Sequence, residues 1–376
     1  MKHTTTYTAI AIAAIVALAA CTGEGTETTP RHAATMTLVA AAPALADVGS
    51  DTRAAFPPDG FYAYSAAVGG QFVNQMTNDR ATIAAFFTQS PTAQAHATFA
   101  YDDATGRWSS TYTEMQTAAY YLYGFIPAED AATATITAPS GNFANGATLT
   151  LTGLNTVTPS DVCVAVAARE GTAAGVEGLQ AGRFLFNANA AGSGSNYIYL
   201  LFDHIYSSVR LSFRVDATYA ALRTIRLRKL EMQAYSNNAA VSATASATIT
   251  LEANATGTSP ITALTITPDA TGAEAWATLY APATPLTLAT TPSDFIGCFA
   301  AALCDELRLR TTYDVLDTAG TIIRHGCVAE NAIHLSTLLR TQLTRGHIYT
   351  VNLTVNPTYL YVLSDPDLDN PTISFL

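Results

Sequence analysis

Ser364-Asp365-Pro366-Asp367-Leu368-Asp369-Asn370 sets a carboxylate at every second position. That spacing opens a calcium loop, in which oxygen ligands wrap a hard cation. Asn370 stands at the sixth position, where such a loop uses Gly, and no Glu stands at the twelfth. Calcium on Asp365, Asp367 and Asp369 is thus an open alternative to a solvated turn. Asp203-His204 pairs a carboxylate with an imidazole, but neighbours on a strand point to opposite faces, so no catalytic dyad is expected there. His325-Gly326-Cys327 is an isolated ligand pair, and no CxxC or histidine cluster has zinc spacing. Cys163 lies in Val162-Cys163-Val164-Ala165-Val166 and is expected to pack as a small hydrophobe. Tyr120, Tyr121 and Tyr123 offer either strand aromatics or a stacking platform for sugars. No Gly-x-Ser-x-Gly elbow, phosphate-binding loop or His-Glu-x-x-His helix occurs. The expectation is no enzyme, no cofactor and no metal.

The chain that carries these groups has 376 residues, 49% of them hydrophobic and 12% charged, with a net charge of −11. Such apolar content excludes intrinsic disorder, and the acidity, without basic runs, excludes nucleic acid as a partner. Lys2 precedes an apolar run from Tyr7 to Ala20, too short to span a bilayer but suited to a signal-peptide core. The run ends in Leu18-Ala19-Ala20-Cys21, similar to the lipobox of bacterial lipoproteins. That resemblance implies cleavage before Cys21 and acylation of its thiol. Thr22 to Pro30 then forms a tether. No Asp follows Cys21, which favours the outer membrane. An exported chain permits disulfides, and Cys298, Cys304 and Cys327 lie close enough in sequence for one pair, with the pairing left open.

The elements that position these groups repeat with period two. Val209, Leu211, Phe213 and Val215 alternate with Arg210, Ser212 and Arg214, and Val351, Leu353 and Val355 behave alike. Leu149/Leu151, Ile225/Leu227, Ile249/Leu251, Leu264/Ile266 and Leu307/Leu309 repeat the pattern. Such alternation marks half-buried strands. Tyr101 to Trp108 forms a hairpin signal with Asp and Gly in its turn. Asn331 to Arg340 is the best helical candidate, through Ile333, Leu335, Leu338 and Leu339. An Ala/Gly/Ser-rich seam at 190–196 places a domain boundary near Leu200, with each half large enough for a β-sandwich.

Five segments, in order, resemble the fimbrillins, the subunits of type V pili. Thr52-Arg53-Ala54 follows an isolated early strand, Met36 to Ala42, and Phe61-Tyr62-Ala63-Tyr64 follows in turn. Ala119 to Pro127 is an aromatic strand ending in proline, and Phe202-Asp203-His204-Ile205 leads into the alternating strand to Val215. Gly346-His347-Ile348-Tyr349 opens the closing strand to Val355. The resemblance implies an all-β chain of two transthyretin-like Greek-key β-sandwiches in tandem. Its parts would be a signal peptide at 1–20, a lipidated tether and removable first strand at 21–53, and sandwiches at 54–200 and 201–376. It further implies an outer-membrane, cell-surface fimbrial lipoprotein cut by an arginine-specific protease and joined to other pilin subunits by strand exchange. Arg31 and Arg53 are the early arginines; only a cut after Arg53 falls beyond the Met36–Ala42 strand. The tail from Tyr359 to Leu376, with Ile373 and Phe375 alternating with Thr372 and Ser374, is the expected donor strand. The alternative is a surface lipoprotein that binds glycans and does not polymerise.

Overall fold

A computed structural model describes residues 35–40, 44–45, 61–66, 81–89, 94–102, 107–109, 118–171, 179–188, 197–254, 259–270, 275–294, 296–301, 303–334, 343 and 345–356. Over these residues the chain is all-β, with its strands in four sheets. The first sheet runs β1 (Thr35–Ala40), β24 (His347–Asn356), β14 (Ser207–Val215), β21 (Ile296–Ala300) and β10 (Val157–Thr158), with β2 (Ala44–Leu45) also on β24. The second runs β3 (Phe61–Ala66), β13 (Tyr197–His204), β11 (Cys163–Gly171), β7 (Ala118–Ile126), β4 (Ile83–Thr88), β5 (Gln94–Asp102) and β6 (Arg107–Ser109), with β12 (Leu185–Ala188) beside β7. The third runs β16 (Ala239–Ala240), β15 (Thr224–Ser236), β22 (Glu306–Leu316) and β23 (Ile322–His334), with β19 (Ala277–Tyr280) and β20 (Leu286–Thr287) on β15. The fourth is β18 (Ile261–Pro268), β17 (Thr244–Glu252), β9 (Gly146–Asn155) and β8 (Thr133–Thr137). All pairings are antiparallel except β14 with β24, which is parallel.

The alternating residues make the cores. Val209, Leu211 and Phe213 of β14 and Val351 and Leu353 of β24 pack with Ile225 and Leu227 of β15 and Leu307 and Leu309 of β22 between the first and third sheets. Leu149, Leu151, Ile249 and Leu251 of the fourth sheet pack with Tyr123, Phe125, Val164 and Val166 of the second. Sheet-on-sheet packing of this kind is the β-sandwich solution. Leu264 and Ile266 stay half-exposed on β18, an edge strand.

The second sheet buries its other face as well, around Phe87, Leu122, Trp108, Phe186 and Phe202. Its end strands β3 and β6 approach each other, so the sheet curls on itself and encloses that core. Burial on both faces explains why β7 and the first residues of β11 are continuous apolar runs and do not alternate. Close packing leaves no room at Gly124, where an added Cβ would run into the Ala84 carbonyl oxygen. The hairpin at 101–108 is present, with Tyr101 opposite Trp108 and Asp102 opposite Arg107. Trp108 closes the curl by stacking edge-on against Tyr101 and donating Nε1–H to the Ala81 carbonyl at 2.9 Å.

Strands from either side of residue 200 share sheets. β17 and β18 extend the sheet begun by β8 and β9, while β1 and β10 join the sheet of β14, β21 and β24. The helical expectation for Asn331 to Arg340 is corrected over its first four residues. Asn331 to His334 complete β23, with Ile333 paired to Leu307 and fully buried; residues 335–340 lie outside the described set. The long partner β22 supplies backbone hydrogen bonds that outweigh a local helical spacing. The single α-helix among the described residues is α1 (Ala217–Ala220), started by Asp216 Oδ1 accepting from the Thr218 and Tyr219 amides.

Asp314 ties β22 to β15. Its side chain, 2% exposed, accepts from Gly326 N at 2.9 Å and Arg228 Nη1 at 3.0 Å, with His325 Nδ1 at 3.0 Å. Burial pushes this carboxyl up, but the donors outweigh burial and hold it below the ordinary carboxylate range. A carboxyl depressed on folding adds stability above its unfolded value, about pH 4, that is lost as pH falls through the folded value. The thermal midpoint of Asp314→Asn should therefore lie below that of the native chain at pH 7, with the gap closing towards pH 3.

Candidate functional site

β24 offers one edge to β14 and the other to the N-terminal strands. Its inward side chains Tyr349, Val351, Leu353 and Val355 are at most 4% exposed, and they form one wall of the first core. β1 covers the distal half of its free edge: Met36 stands opposite Val355, Leu38 opposite Leu353 and Ala40 opposite Val351. β2 covers the start, with Ala44 opposite Ile348 and Leu45 opposite His347. Two described segments, 35–40 and 44–45, thus pair with both ends of the closing strand, although they come from the other end of the chain. On the opposite edge of β24, β14 runs parallel to it from Ser208 beside Ile348 to Val215 beside Val355.

A knot of buried polar groups sits where β13 turns into β14 and where β24 begins. Asp203 is fully buried; its Oδ2 accepts from Arg345 Nη1 at 2.6 Å and from Ser259 Oγ at 2.9 Å. Gly346 N donates to the Tyr206 carbonyl at 2.8 Å, so the entry to β24 is pinned to that turn. His204 points the other way, as adjacent strand residues must. Its Nδ1 lies 2.8 Å from Asp161 Oδ1 and 3.4 Å from Cys163 Sγ. Burial opposes protonation of His204, yet Asp161, with Asp203 behind it, holds the imidazole above its usual range. Burial, then the two carboxylates, pushes the Cys163 thiol well up.

Removing Arg345 would leave the Asp203 carboxylate buried without its cation. Arg345→Met should cost about 3–5 kcal/mol in urea unfolding, and adding Asp203→Asn should recover much of the loss.

Cys298, Cys304 and Cys327 are buried thiols with no disulfide among them, which answers the pairing the sequence left open. Cys298 Sγ rests 3.6 Å from Met232 Sδ, and Cys304 Sγ lies 3.8 Å from the Ala301 carbonyl. Burial raises both thiols to about 12; they fill space in the first core. His325 and Cys327 part company, the imidazole on the surface beside Asp314 and the thiol inward. The three tyrosines do not make one platform. Tyr120 packs into the curl of the second sheet, while Tyr121 and Tyr123 face the sandwich core on its other side. Tyr123 is fully buried and donates its hydroxyl to the Phe143 carbonyl at 2.6 Å. Cys21, Arg31, Arg53, the tail from Tyr359 to Leu376 and its Asp365, Asp367 and Asp369 lie outside the described residues.

Sequence reasoning missed Asp161. A carboxylate two residues before Cys163 was the signal, since that spacing returns to the same face of an extended chain.

No protein-family model matches the chain, and no curated protein matches it. Several solved structures are similar to it, two of which follow. One is a proposed cell adhesion protein from Bacteroides uniformis, 10% identical, with 78% of this chain and 93% of that chain covered and a TM-score of 0.38. The other, also a proposed cell adhesion protein, is from Bacteroides fragilis and is 12% identical. It covers 76% of this chain and 83% of its own, with a TM-score of 0.33.

Proposed function

We propose that this chain is a structural or adhesive subunit of a type V pilus. It is exported as a lipoprotein acylated at Cys21, held at the outer membrane, cut after Arg53 by an arginine-specific protease and polymerised by strand exchange. The observation that carries the reading is the pairing of β1 and β2 with residues 351–356 and 347–348 of β24. β1 and β2 lie between the tether and Arg53, so a single cut separates them covalently from everything that follows. Their departure strips one edge of β24 of its hydrogen-bond partners, and a bare edge is a template for another strand. Val351, Leu353 and Val355 would lose their cross-strand neighbours Ala40, Leu38 and Met36, and each large apolar side chain fully returned to water costs about 1.5–3 kcal/mol. An incoming strand from another subunit restores both the backbone bonds and the cover, which is β-augmentation. The tail from Tyr359 to Leu376, which follows directly on β24, is the donor.

Electrophoresis without boiling tests the scheme. After treatment with an arginine-specific protease the protein should run as a ladder of detergent-resistant oligomers. A monomer band alone, from cut protein, would reject polymerisation and favour a surface lipoprotein that acts singly.

A further inference from the structure

Cys163 opens β11 and His204 closes β13, and the two stand directly opposite in the antiparallel ladder. Asp161, two residues before Cys163, brings a carboxylate to the same spot. The oxygen, sulfur and nitrogen lie within 4.8 Å of one another, and all three residues are buried. We propose that Asp161, Cys163 and His204 form a binding site for a borderline-soft divalent cation of the zinc class.

The donor set selects the metal. Sulfur and imidazole nitrogen suit zinc and its first-row neighbours, whereas calcium and magnesium take oxygen alone. Zinc bonds of about 2.0–2.3 Å in a tetrahedron set neighbouring donors roughly 3.3–3.8 Å apart. His204 Nδ1 already lies 2.8 Å from the Asp161 oxygen and 3.4 Å from the Cys163 sulfur, so a cation enters with a small widening of the triangle. The ladder between β11 and β13 fixes two of the three ligands on rigid backbone, as a metal site requires. Binding displaces the thiol proton and any proton on Nδ1 to solvent, leaving thiolate, neutral imidazole and carboxylate on the ion. The nearby Arg345 does not oppose the cation unscreened, because Asp203 pairs with it at 2.6 Å. A tetrahedral ion would complete its shell with one water. The rival is a hydrogen-bonded cluster in which Asp161 accepts from the imidazole and the thiol, with no affinity for metal.

Cobalt(II) separates the two. The chelator-stripped full chain, titrated with Co2+, should bind one equivalent with a near-ultraviolet thiolate-to-cobalt absorption that Zn2+ abolishes, and its Tm should rise. Cys163→Ser should lose that absorption and bind at least about 100-fold more weakly, since even outer-shell changes cost 10–100-fold. No thiolate band in the native chain overturns the proposal, as does a band that survives in Cys163→Ser. Should the variant fail to fold, X-ray absorption at the zinc edge of the native chain decides. One sulfur with three nitrogen or oxygen ligands supports the site, and a shell without sulfur overturns it.

Discussion

Arg53→Ala should leave a folded chain that an arginine-specific protease no longer converts into oligomers. β1 and β2 end at Leu45, and Arg53 is the first arginine after them. Without a cut there, any strand that leaves β24 stays covalently joined to β3 through residues 46–60. Its effective concentration at the edge is then millimolar or higher, and a second subunit at micromolar concentration cannot compete. Cutting removes that advantage: once dissociated, the strand is diluted and the edge is open. The expected loss of the unboiled ladder is therefore close to complete, not partial. Arg31→Ala provides the contrast, because residue 31 precedes β1 and a cut there leaves β1 joined to the rest. It should polymerise like the native chain. The reverse result, with Arg31→Ala monomeric and Arg53→Ala forming the ladder, would overturn the cleavage assignment. Substituting Arg53 alters no residue of β1, β2 or β24, so the unfolding free energy of the uncut protein should stay within about 0.5 kcal/mol of native.

The parts of this scheme differ in how far the sequence discloses them. Period-two alternation at Val209 to Val215 and at Val351 to Val355 gave both strands their inward faces, because one side of each sheet is buried and the other is not. The early strand was legible too, predicted as Met36 to Ala42 and observed as Thr35–Ala40. Its partner was not. Leu38 meets Leu353 across nearly the whole chain, and no local pattern encodes a pairing at that separation. The same limit hid the Asp161–Cys163–His204 cluster. Cys163 looked like one more apolar residue because β11 is buried on both faces, and only the β11–β13 register brings His204 across forty-one residues to its sulfur. The misreading at Asn331 has a different cause. Ile333, Leu335, Leu338 and Leu339 do carry helical spacing, but Asn331 to His334 are captured by the long edge of β22, where tertiary pairing overrides local preference.

That β1 must leave for subunits to join is testable without touching the protease site. Val39 and Asn352 stand directly opposite in the β1–β24 ladder, and Asn352 is only half-buried. Opposed residues of an antiparallel pair hold their Cα atoms about 4.5–5.5 Å apart, inside the range of roughly 4.4–6.8 Å over which disulfides form. Val39→Cys with Asn352→Cys should therefore close a disulfide on oxidation. The native Cys163, Cys298, Cys304 and Cys327 are buried and do not compete for it. Cutting the oxidised variant after Arg53 should release nothing, since the first segment stays attached through sulfur until a reductant is added; electrophoresis with and without reductant shows this directly. Held in place, β1 keeps its six register positions on β24, and no strand from another subunit can take them. The cut, oxidised protein should therefore run as a monomer, and dithiothreitol should restore the ladder in the same sample. Each single-cysteine variant should polymerise under both conditions, which separates the staple from the substitutions. A ladder of native intensity from cut protein with the staple demonstrably intact would mean that subunits join elsewhere, and the exchange at β24 would be wrong.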